Sequence, residues 1–256
     1  MVDLVAEKLA DEVRQLCGET TLPIDPRRIA EQEGIVLAPS SNFGSEFHGR
    51  LEYHSALRLF LLYFPVRKNG QVSLRTRFSI CHELGHYYID AHRETLLRAG
   101  AHNSTSGFFC DNQIEREADA FAAALLMPRA LVKARIEHLG FLDLETLLRL
   151  SDDFATSLQC AAVRYCLLTE AACVVVIARK GIPVFQIAST RARASGVGRV
   201  KRIPDSSVLH HLGRAPSKPR GKDCWSTDWL EGRGFLIFEE SVCLAEPEYT
   251  LTTLRW

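Results

Sequence analysis

The residues whose types and spacing could carry chemistry lie at positions 82–86, which read His-Glu-Leu-Gly-His. Two histidines four positions apart on a helix project from the same face, because about 3.6 residues complete a turn. His82 and His86 could therefore bind one zinc ion through their imidazoles. Glu83, rotated by about 100° around the helix axis, could take a proton from a water molecule at the ion and act as general base. Taken alone, the pattern would also fit a surface helix that happens to carry two histidines.

The flanking residues predict that this motif lies on a helix. Positions 77–89 contain no proline, and we expect the helix to begin near Ser73 or Thr76. Apolar side chains recur there with helical spacing at Ile80, Leu84, Tyr87 and Tyr88. Gly85 costs about 1 kcal/mol relative to alanine inside a helix. Its presence predicts that another backbone, or the ion itself, comes close at this point.

A catalytic zinc ion also needs a third protein ligand and an open fourth position. Residues 113–128 predict a second helix with an apolar stripe, which Pro128 ends. Glu115 and Asp119 lie four apart on one edge of that stripe, whereas Glu117 lies on the other edge. We predict that Glu115 binds the ion and that Asp119 accepts the free ring N–H of a ligand histidine, fixing its tautomer. Glu117 as the ligand, or all three carboxylates in solvent, are the alternatives.

Both segments resemble signature motifs of a known family. Residues 77–87, Arg-Phe-Ser-Ile-Cys-His-Glu-Leu-Gly-His-Tyr, and residues 114–128 are similar to the two helix motifs of the ImmA/IrrE family of zinc metallopeptidases. Residues 22–30 and 34–37 are similar to the family's entry segment. The resemblance covers about residues 20–135 and becomes looser through about residue 168.

The resemblance implies a function and a set of residue roles. The family's Zn2+ ligands carry over to His82, His86 and Glu115, and its general base carries over to Glu83. Asp119 stands where many relatives have asparagine, and an aspartate still accepts a hydrogen bond there. A member of this family is expected to be a zinc metalloendopeptidase that cleaves a helix-turn-helix repressor and so relieves repression, in a stress response or a mobile element.

Composition and charge agree with a cytoplasmic enzyme. The 256 residues include 31 basic and 31 acidic side chains, so no global field recruits nucleic acid or a membrane. No apolar stretch reaches the roughly 18 residues of a membrane-spanning helix, and no signal peptide is recognisable. The eight cysteines contain no Cys-x-x-Cys pair, which predicts reduced thiols in a cytoplasmic protein with no membrane partner.

The chain is expected to have an α+β fold in three parts. Residues 1–135 predict a zincin-like metallopeptidase domain with a small mixed sheet and metal-binding helices. Residues 136–170 predict a helical segment that resembles a helix-turn-helix unit. Residues 171–256 predict a small β-rich C-terminal domain that could be sensory or regulatory, with candidate strands at residues 173–178, 183–188, 234–238, 241–244 and 249–255. Arg164 is the only basic residue on the second helix of the middle segment, so packing is favoured over direct DNA binding.

Three further segments could contribute to binding. Residues 49–64 predict two paired strands, one of which could hold a substrate backbone by strand addition or merely cover the metal helix. The polar stretch 92–110 predicts a loop in which His92 or His102 could stabilise an oxyanion. Residues 179–222 contain eleven basic residues and one acid. That segment could contact nucleic acid, a nucleotide, an acidic face of the substrate, or only solvent.

The sequence leaves two classes of function. One is the zinc endopeptidase, and the other is a non-proteolytic regulatory module that binds a repressor or DNA and whose metal site is structural or vestigial. Glu83 favours the enzyme, because a structural zinc site has no use for a general base.

Overall fold

The computed structural model divides the chain into two compact units, and each has its own core. It describes residues 3–43, 47–99, 113–139, 143–212, 218–232, 234–246 and 248–256. The N-terminal unit comprises Val2–Arg129 and Asp152–Ser157, and the C-terminal unit comprises Ala130–Ser151 and Leu158–Trp256. The three-part division at residues 135 and 170 stays a prediction.

The N-terminal unit combines helices with a small mixed sheet. Its described helices are α1 (Leu4–Leu16), α2 (Pro26–Gln32), α3 (Leu74–Tyr88), α4 (Asp90–Ala99) and α5 (Gln113–Leu126). Its described strands are β1 (Val36–Ser40), β2 (Arg50–His54) and β3 (Leu59–Pro65). The order is β1-β3-β2, with β1 parallel and β2 antiparallel to β3. The prediction of two paired strands within residues 49–64 is confirmed, and β2 lies at an edge of the sheet.

Local capping signals set the starts of these helices. The carboxylates of Asp3 and Asp25 accept backbone N–H groups at the starts of α1 and α2. Pro26 occupies the first position of α2, where a missing N–H group costs nothing. The Ser73 hydroxyl accepts the N–H of Thr76 at the start of α3, so the expected beginning of the motif helix is confirmed.

The prediction of a loop at residues 92–110 is wrong for its first part. Residues 92–99 belong to α4, which has Asp90 in its first turn, where a carboxylate is favourable. His92 and Leu96 lie one turn apart and are both buried, so this polar segment covers the core with one narrow face. The rest of the expected loop that precedes Gln113, including His102, lies outside the described residues.

The core of the N-terminal unit forms around α3. This helix packs against α5 on one side and against β2 and β3 on the other, while α1 packs against α5. Fully buried side chains fill these contacts, among them Leu62, Phe64, Ile80, Leu84, Phe121 and Leu125. The packing places the His-Glu-Leu-Gly-His segment inside the unit instead of on its surface.

The C-terminal unit is built on a five-stranded antiparallel sheet. Its strands are β4 (Cys173–Arg179), β5 (Ile182–Ala188), β6 (Arg220–Trp225), β7 (Leu236–Cys243) and β8 (Tyr249–Arg255), in the order β5-β4-β8-β7-β6. The helices along residues 129–229 are α6 (Arg129–Leu139), α7 (Leu144–Asp153), α8 (Leu158–Leu168), α9 (Thr190–Ala194) and α10 (Ser226–Trp229), with a 3-10 helix at Val208–His211.

The sequence predicted most of these strands and missed others. Residues 234–238 and 241–244 looked like two strands but belong to the single strand β7. Glu239 lies between the two predicted segments, and a charged residue there suggested a break in the strand. In the structure Glu239 is fully buried, and it accepts hydrogen bonds from the Ser207 hydroxyl and the Trp229 indole N–H. β6 was not expected, because its sequence Arg-Gly-Lys-Asp-Cys-Trp shows no apolar alternation.

The α+β fold class, with a mixed sheet, a helical middle segment and a β-rich C-terminal part, is confirmed. α7 and α8 lie where two helices were predicted, with Ala155 at positive φ between them. Arg164 on α8 is 3% exposed, so it is not available to contact a phosphate. Within the described residues, no helix is both long enough and apolar enough to cross a membrane.

Candidate metal centre

Two imidazoles of α3 meet inside the N-terminal unit. His82 and His86 are both buried, and their Nε2 atoms lie 3.1 Å apart. The rings stand edge to face, with centroids 4.8 Å apart. One turn of helix therefore directs two nitrogen atoms to a single point.

A carboxylate from α5 reaches the same point. Glu115 is 2% exposed, and its Oε2 lies 3.3 Å from His82 Nε2 while its Oε1 lies 3.6 Å from His86 Nε2. Ligand atoms around a tetrahedral zinc ion, each at about 2.0–2.1 Å, are about 3.3–3.4 Å from one another. The observed separations fit that requirement, and the three residues form a buried group that could bind a metal ion.

A glycine between the two histidines allows the helices to come this close. A Cβ atom placed on Gly85 would lie 3.0 Å from Cα and 3.2 Å from the carbonyl oxygen of Ala118, in the middle of α5. The expectation that another backbone approaches Gly85 is therefore confirmed. This contact lets Glu115 on α5 lie next to the histidines of α3.

The ring of His82 is oriented by a second carboxylate of α5. Its Nδ1 lies 2.8 Å from Oδ1 of Asp119, and an N–H donated there leaves the Nε2 lone pair directed at the meeting point. Burial by itself lowers the pKa of His82, but hydrogen bonds to Asp119 and Glu115 and the charge of Glu83 raise it to about 10. A site that holds a proton this strongly carries excess negative charge and suits a cation.

The carboxylate of Glu83 is held by the edge strand β2. Glu83 is 1% exposed, and its Oε2 accepts the backbone N–H of Leu51 at 3.0 Å. A Cβ atom on Gly49 would lie 3.2 Å from Oε1 of Glu83, so the strand approaches the carboxylate closely. Sequence reasoning missed the roles of Leu51 and Gly49. A glycine at the start of a predicted strand was the available signal, because it often marks a close approach.

Glu117 lies in a different environment from Glu115. Its Oε2 is 3.1 Å from Nε2 of His92, and its Oε1 accepts a hydrogen bond from Gln113 at 2.6 Å. The His92 ring packs beside His86, with centroids 5.1 Å apart. Glu117 therefore contacts the neighbour of a candidate ligand and is not part of the three-residue group.

Comparisons with known proteins agree with this arrangement. Residues 68–165 match the peptidase M78 family model, described as the IrrE N-terminal-like domain, and the match confirms the resemblance to the ImmA/IrrE family. A solved structure of a Mycobacterium tuberculosis transcriptional regulator is similar, with a TM-score of 0.63 and 14% identity. The alignment covers 97% of this chain and 74% of that chain. This likeness shows a shared fold. No curated protein matches the chain.

Proposed function

We propose that this chain, whose residues 68–165 match the IrrE N-terminal-like domain model, is a zinc-dependent endopeptidase of the cytoplasm. The observation that carries the proposal is the buried group of His82, His86 and Glu115, together with buried Glu83, whose charge acts on His82. Two imidazoles and one carboxylate are the protein ligands of many catalytic zinc sites, which keep a further position open. A purely structural zinc site would use four protein ligands.

Four buried side chains of the metal centre have a part in the proposed reaction. His82, His86 and Glu115 would hold zinc, which when bound supplies Lewis-acid polarisation of a scissile carbonyl and of a water molecule. Glu83 takes a proton from that water and passes it to the leaving amine. The N–H of Leu51 holds one oxygen of the Glu83 carboxylate in place.

The proposed substrate is a helix-turn-helix repressor. This rests on the ImmA/IrrE resemblance, since cleavage of such a repressor is the activity that the resemblance implies. The edge position of β2 supports an extended segment of the substrate as the part that is cut, because a strand at a sheet edge can pair with an added strand. No membrane partner is proposed, and the buried Arg164 argues against α8 as a DNA-recognition helix.

The experiment combines metal analysis with cleavage of candidate repressors. The purified protein should contain about one zinc ion per chain, and it should cut a helix-turn-helix protein encoded beside its gene at one position. The matched control is Glu83→Gln, which keeps size and hydrogen bonding but cannot accept a proton at neutral pH. That variant should keep its zinc while turnover falls by roughly 10²–10⁴-fold.

Two results would contradict the proposal in different ways. Undiminished cleavage by Glu83→Gln would mean that another group is the base. A zinc-loaded wild-type protein that binds the repressor and leaves it intact would instead identify a non-proteolytic regulatory module.

A further inference from the structure

Residues 189–212 form a covering segment that packs on one face of the five-stranded sheet in the C-terminal unit. Within it, α9 contacts β4, and the 3-10 helix contacts β6 and β7. The side chain of Gln186 on β5 donates to the carbonyl of Gly198 at 3.1 Å and accepts the N–H of Val200 at 2.7 Å. The buried apolar side chains of the segment share one core with residues of the strands, namely Ala192, Val200 and Ile203 with Val174, Val176, Ile237 and Leu254. These apolar side chains therefore face the sheet, and the charged ones are left to the outer surface.

The outer surface of this region is strongly basic. Residues 189–222 contain nine arginines and lysines and one acid, Asp205. Seven of the nine basic side chains are exposed, namely Arg191, Arg193, Arg199, Lys201, Arg202, Lys218 and Arg220. Within the part of the chain that the structure describes, only Lys201 of these seven forms an ion pair, with Glu231. The chain is neutral as a whole, so this positive charge is a local feature that can attract an acidic partner.

The side chains that this surface lacks decide which acidic partner fits it. Residues 189–222 contain no Phe, Tyr or Trp, and none of their described large apolar side chains is exposed. Protein partners are held mainly by aromatic and apolar anchors, and single-stranded nucleic acid is held by aromatic rings on which its bases stack. Guanidinium groups supply five of the seven exposed charges, and each can bind a phosphate through paired N–H donors. The surface therefore suits the phosphates of a duplex, whose bases are stacked on one another.

We propose that residues 189–222 bind the phosphate backbone of double-stranded DNA without reading its sequence. A recognition helix in the major groove contacts bases through several side chains from successive turns. α9 has five residues, little more than one turn, so it cannot serve as such a helix. The basic side chains instead contact phosphates, which position a protein on DNA and carry no sequence information. This binding goes beyond the proposed peptidase function and does not depend on the metal centre.

The test measures binding of the full chain to two short, fluorescently labelled DNA duplexes of unrelated sequence. Fluorescence anisotropy is recorded at salt concentrations from about 50 to about 200 mM. If about four phosphates are neutralised, the logarithm of the affinity should fall with the logarithm of the salt concentration with a slope of about −4. The affinity should then drop roughly 100-fold over this range. Both duplexes should bind with the same affinity, because no base is read.

Two double variants that each remove two positive charges form the matched pair. The test variant combines Arg199→Gln with Arg202→Gln, both in the covering segment and without an ion pair among the described residues. The control combines Arg179→Gln with Lys180→Gln, which lie outside that segment and pair with Glu248 at 3.0 and 2.9 Å. The test variant should lower the affinity roughly tenfold or more and make the salt slope shallower by about 2. The control should leave both quantities unchanged.

Three results would overturn the proposal. The first is no binding to either duplex at the lowest salt concentration, and the second is an equal loss of affinity in both double variants. The third is tighter binding to single-stranded DNA or to polyglutamate than to the duplexes, which would assign the surface to a different acidic partner. Circular dichroism checks that both double variants are folded. Glu83→Gln protein should bind the duplexes as the wild type does, so the result does not depend on peptidase activity.

Discussion

Replacing Gly85 with alanine should disturb the metal centre by moving the two helices that build it. The added methyl group would lie 3.0 Å from Cα and 3.2 Å from the carbonyl oxygen of Ala118, and 3.3 Å from Cδ1 of Phe121. Carbon atoms in favourable contact are about 3.5–4.0 Å apart. Two of the three atoms belong to the backbone of α5 and cannot rotate away. The helices must therefore separate by a few tenths of an ångström to relieve these contacts.

Two opposing terms set the expected change in stability. Alanine is favoured over glycine inside a helix by about 1 kcal/mol. Overpacking of a well-filled interior costs about 1–3 kcal/mol. The free energy of unfolding of the metal-free Gly85→Ala protein should therefore fall by about 1 kcal/mol, within a range of roughly 0–2 kcal/mol. Because Glu115 and Asp119 both lie on α5, zinc affinity should fall by roughly tenfold or more.

The assay measures stability and metal affinity separately. Urea unfolding in the presence of a chelator gives the stability of the metal-free protein, and competition with a chromophoric chelator gives the zinc affinity. Gly49→Ala is the matched control, because its methyl group would meet the carboxylate end of Glu83 and no backbone atom within 3.4 Å. It should reduce turnover and retain zinc. A Gly85→Ala protein that is about 1 kcal/mol more stable and binds zinc as the wild type does would refute the reasoning.

Three further predictions concern the same centre. Glu115→Ala should strongly weaken zinc binding while Glu117→Ala should not, and equilibrium dialysis with the reverse result would move the third ligand to Glu117. Asp119→Ala should lower zinc affinity by about 10–100-fold with the fold retained, because it removes the acceptor that orients His82; an unchanged affinity would contradict that role. Since the pKa of His82 is raised from 6.5 to about 10, the metal-free residue is protonated at pH 8 and zinc must displace that proton. Zinc affinity should then rise as the pH is raised towards about 10. Calorimetry in buffers of different ionisation enthalpy should detect the released proton, and identical binding heats in all buffers would contradict this prediction.

The sequence predicted well where residues interact within a few positions of one another. Ser73 caps α3, and four-residue spacing places His82 and His86 on one helix face. These outcomes depend on backbone geometry and capping that residues within each segment determine. The family resemblance was likewise readable in the two motif segments, and the match to residues 68–165 confirms it.

Predictions were wrong where burial by distant partners overrode the local pattern. α4 looked like a polar loop because only His92 and Leu96 face the core. β7 looked interrupted because Glu239 is charged, although Ser207 and Trp229 satisfy that carboxylate inside the unit. A sequence window cannot reveal such partners, since they lie on other elements.

The sequence by itself determined which chemical groups the chain offers, and the tertiary structure decided which of them meet. His82 and Asp119 are 37 positions apart, and Glu83 and Leu51 are 32 apart. The approach of α5 to Gly85 brings Glu115 to the histidines, while Glu117 faces His92. The physical reason is that a helix crossing depends on how whole faces pack, and carboxylates two residues apart on one helix then point to different neighbours.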